Sequence, residues 1–218
     1  YAASNYDLDT ISKSTEIASR TVENKTTRIH YSANTSFNSK INSKLFIKIG
    51  AMAEVMNMNL FYRNKESNGT WNQIWDYNDY TTLIQGFAHA KYNFTDKLIL
   101  NAGVHAQLLT LNNSNSIEPR VGFKYQLNDK NTFSIGYGMH SQMQPTDVYF
   151  YRLQKPDGTY DQSNKNLEFT KSQHFVLGYD VLPAKDWRVK VEVYYQLLSN
   201  IPVTKTPSSF SMLNAGAS

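Results

Sequence analysis

The sequence predicts an all-β chain, part of an antiparallel up-and-down transmembrane β-barrel, with about eight strands of a larger barrel. Apolar and polar residues alternate one by one along several segments, for example 121–127, which gives each strand one apolar and one polar face. The connections alternate between tight polar turns and long irregular segments, as they do in barrels of the outer membrane. Ring-bearing residues recur beside the short turns, where an interfacial girdle would lie.

Composition excludes a helical membrane protein but fits a barrel. Hydrophobic residues make up 40% of the 218, mean hydropathy is negative, and no apolar run approaches the roughly 20 residues of a spanning helix. Only every second residue of a barrel strand faces lipid, so average hydropathy resembles that of a soluble protein. The net charge of +4 is spread along the chain without a basic, aromatic cluster. We therefore expect no nucleic-acid partner.

The first half of the chain predicts a loop and two long strands. Residues 1–24 are polar without a sustained period and predict a loop. A strand at 28–37 and another at 45–62 are joined by a short polar connection. The second exceeds the usual length of about 5–6 residues, as barrel strands that continue above the membrane do. Residues 64–78, rich in Asn, Gly and Trp, predict the first long loop.

The second half predicts three hairpins and the longest loop. Turn residues and alternation together define each hairpin. The strands pair as 80–94 with 98–111, 117–127 with 132–142, and 169–182 with 187–198. The long segment 143–166 contains Pro156, Asp157 and Gly158, which predict a small hairpin inside the loop. The expected interfacial girdle comprises Phe37, Tyr92, Phe94, Tyr125, Phe133, Tyr179 and Trp187.

Several runs resemble the barrel of Bacteroidetes-type TonB-dependent outer-membrane receptors. The resemblance is close in the C-terminal half and extends to the first half in pattern only. The runs that carry it are IEPRVG at 117–122, SIGYGMHSQ at 134–142 followed by Pro145 and Tyr149-Phe150, NKNL at 164–167, Lys171-Ser172, His174, LGYD at 177–180, EVYYQ at 192–196, IPV at 201–203 and SFSMLN at 209–214.

The resemblance implies a barrel of about 22 strands with an N-terminal plug inside it. It also implies energy supplied through a periplasmic coupling protein, which the missing N-terminal part would contact. We expect residues 1–218 to be a partial outer-membrane β-barrel domain without the plug. Expected partners are therefore outer-membrane lipid, the plug of the same receptor, the periplasmic energy-coupling protein and an unknown nutrient ligand. The alternative, which uses the same strand pattern, is a barrel of eight strands that closes on itself.

Two groups of residues are candidates for contact with plug or substrate. Polar side chains opposite the apolar faces are expected to face the lumen, where they could also simply hydrate a water-filled interior. The lumen-facing candidates are Arg120, Lys124, His140, Gln142, Arg188, Lys190 and Glu192. Aromatic residues of the predicted long loops offer stacking surfaces for a ligand. The ligand-contact candidates are Trp71, Trp75, Tyr77, Tyr149, Phe150 and Tyr151.

Nothing in the sequence predicts catalysis, a metal site or a cofactor. All five histidines fall on polar strand faces, with His89 and His105 placed diagonally on neighbouring strands. No further ligand is forced to converge there. Carboxylates form no close pair on a rigid face, and no serine lies in a strand–turn–helix elbow. Gly136 and Gly138 lack the helix that a phosphate loop requires.

The functional hypothesis is therefore transport without chemistry on the substrate. The chain would be part of an energy-coupled receptor in the cell outer membrane that imports a large nutrient through a plugged barrel. Two alternatives stay open: a small self-closed outer-membrane barrel for adhesion or anchoring, and a soluble all-β ligand-binding domain.

Overall fold

The computed structural model describes residues 2–11, 18–204, 208 and 211–213, and most of them belong to one antiparallel sheet. Nine strands pair in the order β1 to β7, then β10, then β11, while β8 and β9 form a separate two-stranded sheet. The strands are β1 (Ala2–Ile11), β2 (Ala18–Lys40), β3 (Leu45–Lys65), β4 (Trp71–Asn93), β5 (Leu98–Leu109), β6 (Ser114–Asn128), β7 (Asn131–Gln142), β8 (Leu153–Gln154), β9 (Tyr160–Asp161), β10 (Thr170–Val181) and β11 (Val189–Ser199).

Every strand of the large sheet pairs antiparallel with its neighbours along the chain. The predicted all-β, up-and-down architecture is therefore confirmed. Among the described residues, β1 and β11 are the edges of the sheet and do not pair with each other. The strands differ in length: β2, β3 and β4 have 23, 21 and 23 residues, whereas β5, β7 and β10 have 12 each.

The N-terminal segment is not the predicted loop. It forms β1 and the start of β2, which pair from Ala2–Arg28 to Ile11–Ala18. Only Tyr6 and Leu8 alternate with Asp7 and Asp9 in β1, and the backbone ladder and charges also hold the strand to its neighbour. The Arg20 guanidinium bonds both Asp7 and Asp9, at 2.7 and 3.0 Å. Residues 12–17 of the predicted loop lie outside the described residues.

The predicted first long loop at 64–78 is also wrong. β3 continues to Lys65 and β4 begins at Trp71, so the connection shrinks to five residues. Gly69 has a φ of +88°, and the Asn68 side chain accepts the Thr70 N–H at 2.9 Å. The Asn- and Gly-rich composition thus belongs to one turn. The aromatic residues after it are strand residues, as their β propensity permits.

Three of the four connections at the opposite end are tight turns of two to four residues, as predicted, whereas the β10–β11 connection at 182–188 has seven residues. A side-chain oxygen at the start of three of them accepts backbone N–H groups: Asn42 from Lys44 and Leu45, Thr95 from Lys97 and Leu98, and Asn128 from Lys130. The predicted girdle residues flank these turns. Tyr92 and Phe94 lie with ring centroids 4.8 Å apart, as do Phe133 and Tyr179.

The long segment between β7 and β10, called the excursion below, spans residues 143–169. It contains helix α1 (Thr146–Tyr149), the β8–β9 hairpin and a 3₁₀ turn at Ser163–Asn166. The predicted small hairpin at Pro156–Gly158 is confirmed: the Lys155 N–H donates to the Thr159 carbonyl, and Gly158 has a φ of +82°. Hydrogen bonds from Thr159 hold the pKa of the Asp157 carboxyl below its usual value. Within the described part of the chain, no helix is long and apolar enough to cross a bilayer.

Candidate functional site: the polar face and the excursion

Strand register places the predicted lumen-facing residues on one face of the sheet, called the polar face below. Arg120 lies opposite Gly138, and Lys124 lies opposite Ser134. On the next strands, His140 and Gln142 lie opposite Ser172 and Thr170. Lys190 and Glu192 lie opposite Asp180 and Gly178. Arg188 precedes β11, and its guanidinium forms an ion pair with Asp180. That these groups face a lumen stays a prediction.

The histidines follow the same register. His105 lies opposite Phe87 and His89 opposite Gly103, so the two histidines are diagonal neighbours, as predicted. His140 and His174 form an edge-to-face pair with ring centroids 5.3 Å apart. No group of three or more His, Asp or Glu side chains within the described residues is arranged to hold a metal ion.

The buried core of the described residues lies on the polar face, toward the end of the sheet away from the short turns. Met56, Met58 and Leu60 of β3 share this face with His30 and Glu54, and all three are at most 2% exposed. Leu83 and Leu109 continue the patch on β4 and β5. The sequence carries a signal that was missed. From Met56 onward, the even-numbered residues of β3 are also apolar. This end of the polar face therefore carries apolar side chains.

The excursion covers this apolar patch. Tyr149, Phe150 and Phe169 are 1%, 2% and 0% exposed and pack against it. The Phe150 ring stacks on Tyr77 of β4. Tyr149 accepts the Gln144 N–H at 3.1 Å, and burial raises the pKa of its phenol. The excursion is therefore a packed layer on the sheet.

Polar contacts anchor the excursion at both ends. Arg28 of β2 forms an ion pair with Asp147 of α1. Arg152 bonds Asp76 at 2.7 Å and lies over the Tyr160 ring, 4.2 Å from its centroid. Asn112 donates to the carbonyls of residues 165 and 167 at 3.0 and 2.9 Å. These contacts tie the excursion to three different strands or turns.

The predicted ligand-contact residues separate into three groups. Trp71, Trp75 and Tyr77 lie in strand β4 and not in a loop, which corrects their predicted placement. Tyr149 and Phe150 lie in the excursion, as predicted, but they are buried and present almost no surface. Tyr151 is 41% exposed. Of the six, Trp75 and Tyr151 line a cavity. Their role in ligand contact stays a prediction.

That cavity has a volume of about 720 Å³ and is called the excursion cleft below. It lies between the excursion and the segment after β11, which folds back through the Val203–Ser211 bridge. Its described lining residues are Trp75, Asp147, Val148, Tyr151, Leu153, Asp161, Ser163, Asn164, Leu167, Pro202, Val203, Thr204 and Met212.

A buried carboxylate lies on the polar face, on strand β6. Glu118 of β6 is 1% exposed and accepts hydrogen bonds from five side chains. The donors are His105 at 3.0 Å, Gln107 at 2.8 Å, Ser116 at 3.1 Å, Arg120 at 3.0 Å and Ser141. A charge this deeply buried is tolerated because donors surround both of its oxygens.

This cluster fills a gap between two strands. The backbone pairing of β6 and β7 stops at Arg120–Gly138, although both strands continue. The residue beyond Arg120 in that direction is Pro119, which has no N–H to donate. Past the last backbone pair, Ser141 bonds both Glu118 and Ser116, and Gln107 donates to the Ser141 carbonyl at 3.0 Å. Side chains replace the backbone ladder there.

Solved structures similar to this chain show the same fold. The siderophore receptor PirA from Pseudomonas aeruginosa is 12% identical, with a TM-score of 0.58 over 80% of this chain and 32% of that chain. The copper transporter OprC is 10% identical, with a TM-score of 0.61 over 86% and 32%. The FpvAI–pyocin S2 complex gives 19% identity and a TM-score of 0.52 over 90% and 28%. The chain thus spans about a third of the length of these structures. A search of curated proteins gave no match.

The family model for the TonB-dependent receptor-like β-barrel matches residues 1–218. This match and the similar structures agree with the up-and-down antiparallel sheet. The family consists of transport receptors of the outer membrane and not of enzymes. The chain therefore belongs to the TonB-dependent receptor-like β-barrel family.

Proposed function

We propose that this chain is part of an energy-coupled receptor that imports a large nutrient across the outer membrane without chemistry on the substrate. The family match over the whole chain carries the proposal. The two faces of the sheet support it. Ile135, Leu177 and Val193 on one face are 58–65% exposed, as side chains directed at lipid would be. The other face carries the polar cluster and the excursion.

A plug domain of the same receptor would contact the open part of the polar face. Lys124, Lys190 and Glu192 lie there, near the short turns and away from the excursion. Such groups can form ion pairs with a plug or line the route of a substrate. The periplasmic coupling protein would act through the plug. The resemblance of the C-terminal runs supports a receptor of the Bacteroidetes type.

A growth experiment tests import and its energy source. The gene for the full-length receptor is deleted, and growth is compared on a panel of limiting nutrients, including iron chelates, copper, cobalamin and oligosaccharides. We expect a defect on one nutrient that the intact gene restores. Deletion of the energy-coupling protein should reproduce it.

Two results would contradict the proposal. A receptor that restores growth equally well without the coupling protein would be a passive pore or small barrel. A protein recovered in the soluble fraction, rather than in outer membranes, would be the soluble alternative. Heat-modifiable migration of the purified receptor on gels serves as the control for folding.

A further inference from the structure

A cavity lies between two connections at the end of the sheet that carries the short turns, and it is called the turn notch below. It separates the β6–β7 turn, which contains Lys130, from the β10–β11 connection at 182–188. The Leu182 N–H donates to the Lys130 carbonyl at 2.9 Å and joins the two connections at one point. The volume of about 640 Å³ is within the range of about 300–1,000 Å³ that is typical of small-molecule sites. The lining residues, all within the described part of the chain, are Lys130, Leu182, Ala184, Lys185, Asp186, Trp187 and Arg188.

The turn notch carries charges of both signs that are not paired with each other. Among the described residues, the side chains of Lys130, Lys185 and Asp186 form no ion pair and no hydrogen bond. Arg188 differs, because its guanidinium is paired with a carboxylate of β10. Asp129 precedes Lys130 in its turn but is not part of the lining. Two ammonium groups and one carboxylate are therefore available to a ligand.

A tight turn holds the free carboxylate and an aromatic ring at the notch. The Trp187 N–H donates to the Ala184 carbonyl at 3.2 Å, and Asp186 between them has a φ of +65°. Asp adopts this left-handed conformation more readily than most residues. Trp187 and Leu182 are 68% and 41% exposed. The notch therefore combines charged groups with apolar surface.

In the orientation that the proposed function requires, the turn notch lies at the level of lipid headgroups. Short turns of outer-membrane barrels face the periplasm, and the leaflet on that side consists of phospholipids. The stacked girdle rings of Phe133 and Tyr179 lie three residues along the chain from Lys130 and Leu182, respectively. Interfacial aromatic rings mark the boundary between hydrocarbon and headgroups. The notch, on the turn side of these rings, is therefore placed to meet a headgroup.

We propose that the turn notch binds a phospholipid headgroup that carries both a phosphate and a free ammonium group, as phosphatidylethanolamine does. This inference rests on the proposed function only for the orientation of the barrel. Lys130 and Lys185 bind the phosphate, since ammonium groups are common phosphate ligands in proteins. Asp186 accepts hydrogen bonds from the ammonium group of the lipid. Trp187 and Leu182 contact the glycerol and the first carbons of the acyl chains.

The charges of the lining distinguish this headgroup from two other common ones. Phosphatidylglycerol has the phosphate but no cation, so it leaves Asp186 facing an anion. Phosphatidylcholine has a cation, but its methyl groups leave no N–H to donate. We therefore expect phosphatidylethanolamine to bind about tenfold more tightly than either. A general attraction of a basic surface for lipid would instead favour phosphatidylglycerol.

Native mass spectrometry of the full-length receptor in a neutral detergent tests the proposal. Each of these lipids, with identical acyl chains, is titrated in turn, and the affinity of the first bound lipid is compared. Soluble phosphoethanolamine is then added as a competitor. It should not displace the lipid at equal concentration, because it lacks the part that contacts Trp187 and Leu182.

A carboxylate variant tests the ammonium side of the notch. Asp186→Asn should weaken binding of phosphatidylethanolamine about tenfold and strengthen binding of phosphatidylglycerol. Asn also tolerates the left-handed conformation, so the turn should be kept. Asp96→Asn makes the same change in the β4–β5 turn, outside the lining, and should alter neither affinity.

A lysine variant tests the phosphate side. The double variant Lys130→Ser with Lys185→Ser should weaken binding of both phosphatidylethanolamine and phosphatidylglycerol about tenfold. Lys44→Ser with Lys97→Ser removes the same charge from two other short turns, where both lysines are exposed, and should have no effect. Heat-modifiable migration on gels verifies that every variant is folded.

The outcomes separate this inference from the proposed function. Equal affinity for the lipids, tighter binding of phosphatidylglycerol, displacement by soluble phosphoethanolamine, or the same loss in notch and control variants would overturn the inference. Selective binding by a receptor whose deletion causes no growth defect would keep the notch and remove the import function. A growth defect without selective lipid binding would remove the notch alone.

Discussion

The ring of Phe150 stacks on the ring of Tyr77, with centroids 3.7 Å apart and planes inclined by 22°. Tyr77 belongs to β4 and Phe150 to the excursion, which are separated by more than 70 residues of chain. The contact therefore closes a long loop onto the sheet. Both residues were expected to contact a ligand, but in the structure they pack against each other.

Phe150→Ala should destabilise the folded receptor by about 3–5 kcal/mol, because it removes a fully buried ring and leaves a cavity. Urea unfolding of the full-length receptor, followed by the loss of heat-modifiable migration, measures the change. Tyr151→Ala is the matched control. The neighbouring Tyr151 ring is 41% exposed, so its removal should lower the free energy of unfolding far less. Equal effects of the two substitutions would show that the stack contributes nothing specific.

Glu118→Gln should destabilise the receptor by about 1–3 kcal/mol, because an amide N–H₂ would then face donors that now bond an oxygen. Glu66→Gln is the control: this carboxylate is exposed in the turn between β3 and β4, and its loss should change stability by at most about 0.5 kcal/mol. The same unfolding assay reports both. A Glu118→Gln receptor as stable as the wild type would contradict the view that the buried charge holds the cluster together.

The ion pair between Arg28 and Asp147 anchors the excursion, and exchanging its two charges tests that role. Asp147→Arg puts two cations together, so the excursion should loosen and become more sensitive to limited proteolysis. The double variant Arg28→Asp with Asp147→Arg should restore most of the protection. Cleavage mapped outside residues 143–169 would instead indicate general unfolding. The expected stability change is small, about 0–1 kcal/mol, because both side chains are partly exposed.

A charge should destabilise the barrel on one face of β11 and be tolerated on the other. Val193→Arg on the apolar face should destabilise the barrel by about 2–4 kcal/mol if the side chain lies near the middle of the bilayer. Gln196→Arg on the polar face of the same strand should be tolerated. Folding into lipid vesicles of the full-length receptor compares the two. Equal tolerance would mean that the apolar face does not meet lipid.

Much of the fold could be predicted from alternation and turn residues. The alternation in 121–127 and the turn at Asn128 predicted a hairpin that the structure confirms. β1 was missed because its alternation is short: only Tyr6 and Leu8 on one face are opposed to Asp7 and Asp9 on the other. An alternation of four residues is too short to predict a strand within a polar segment.

The candidate site was harder to predict, because it depends on contacts between distant segments. Alternation shows that Met58 and Leu60 share a face with His30, but not that the excursion covers them. The aromatic residues Tyr149 and Phe150 look the same in sequence whether they bind a ligand or fill a core. Only the packing of the excursion on β3 and β4 separates these roles.

The gap between β6 and β7 has a mechanical consequence. At the other junctions of the sheet, a force that pulls neighbouring strands apart is shared by a series of backbone hydrogen bonds, interrupted only by a bulge in β1–β2 and another in β3–β4. Above Arg120 and Gly138 the load falls on a few side-chain bonds centred on Glu118 and Ser141. Those bonds would break one after another at lower force. A tear in the wall would therefore start at this junction.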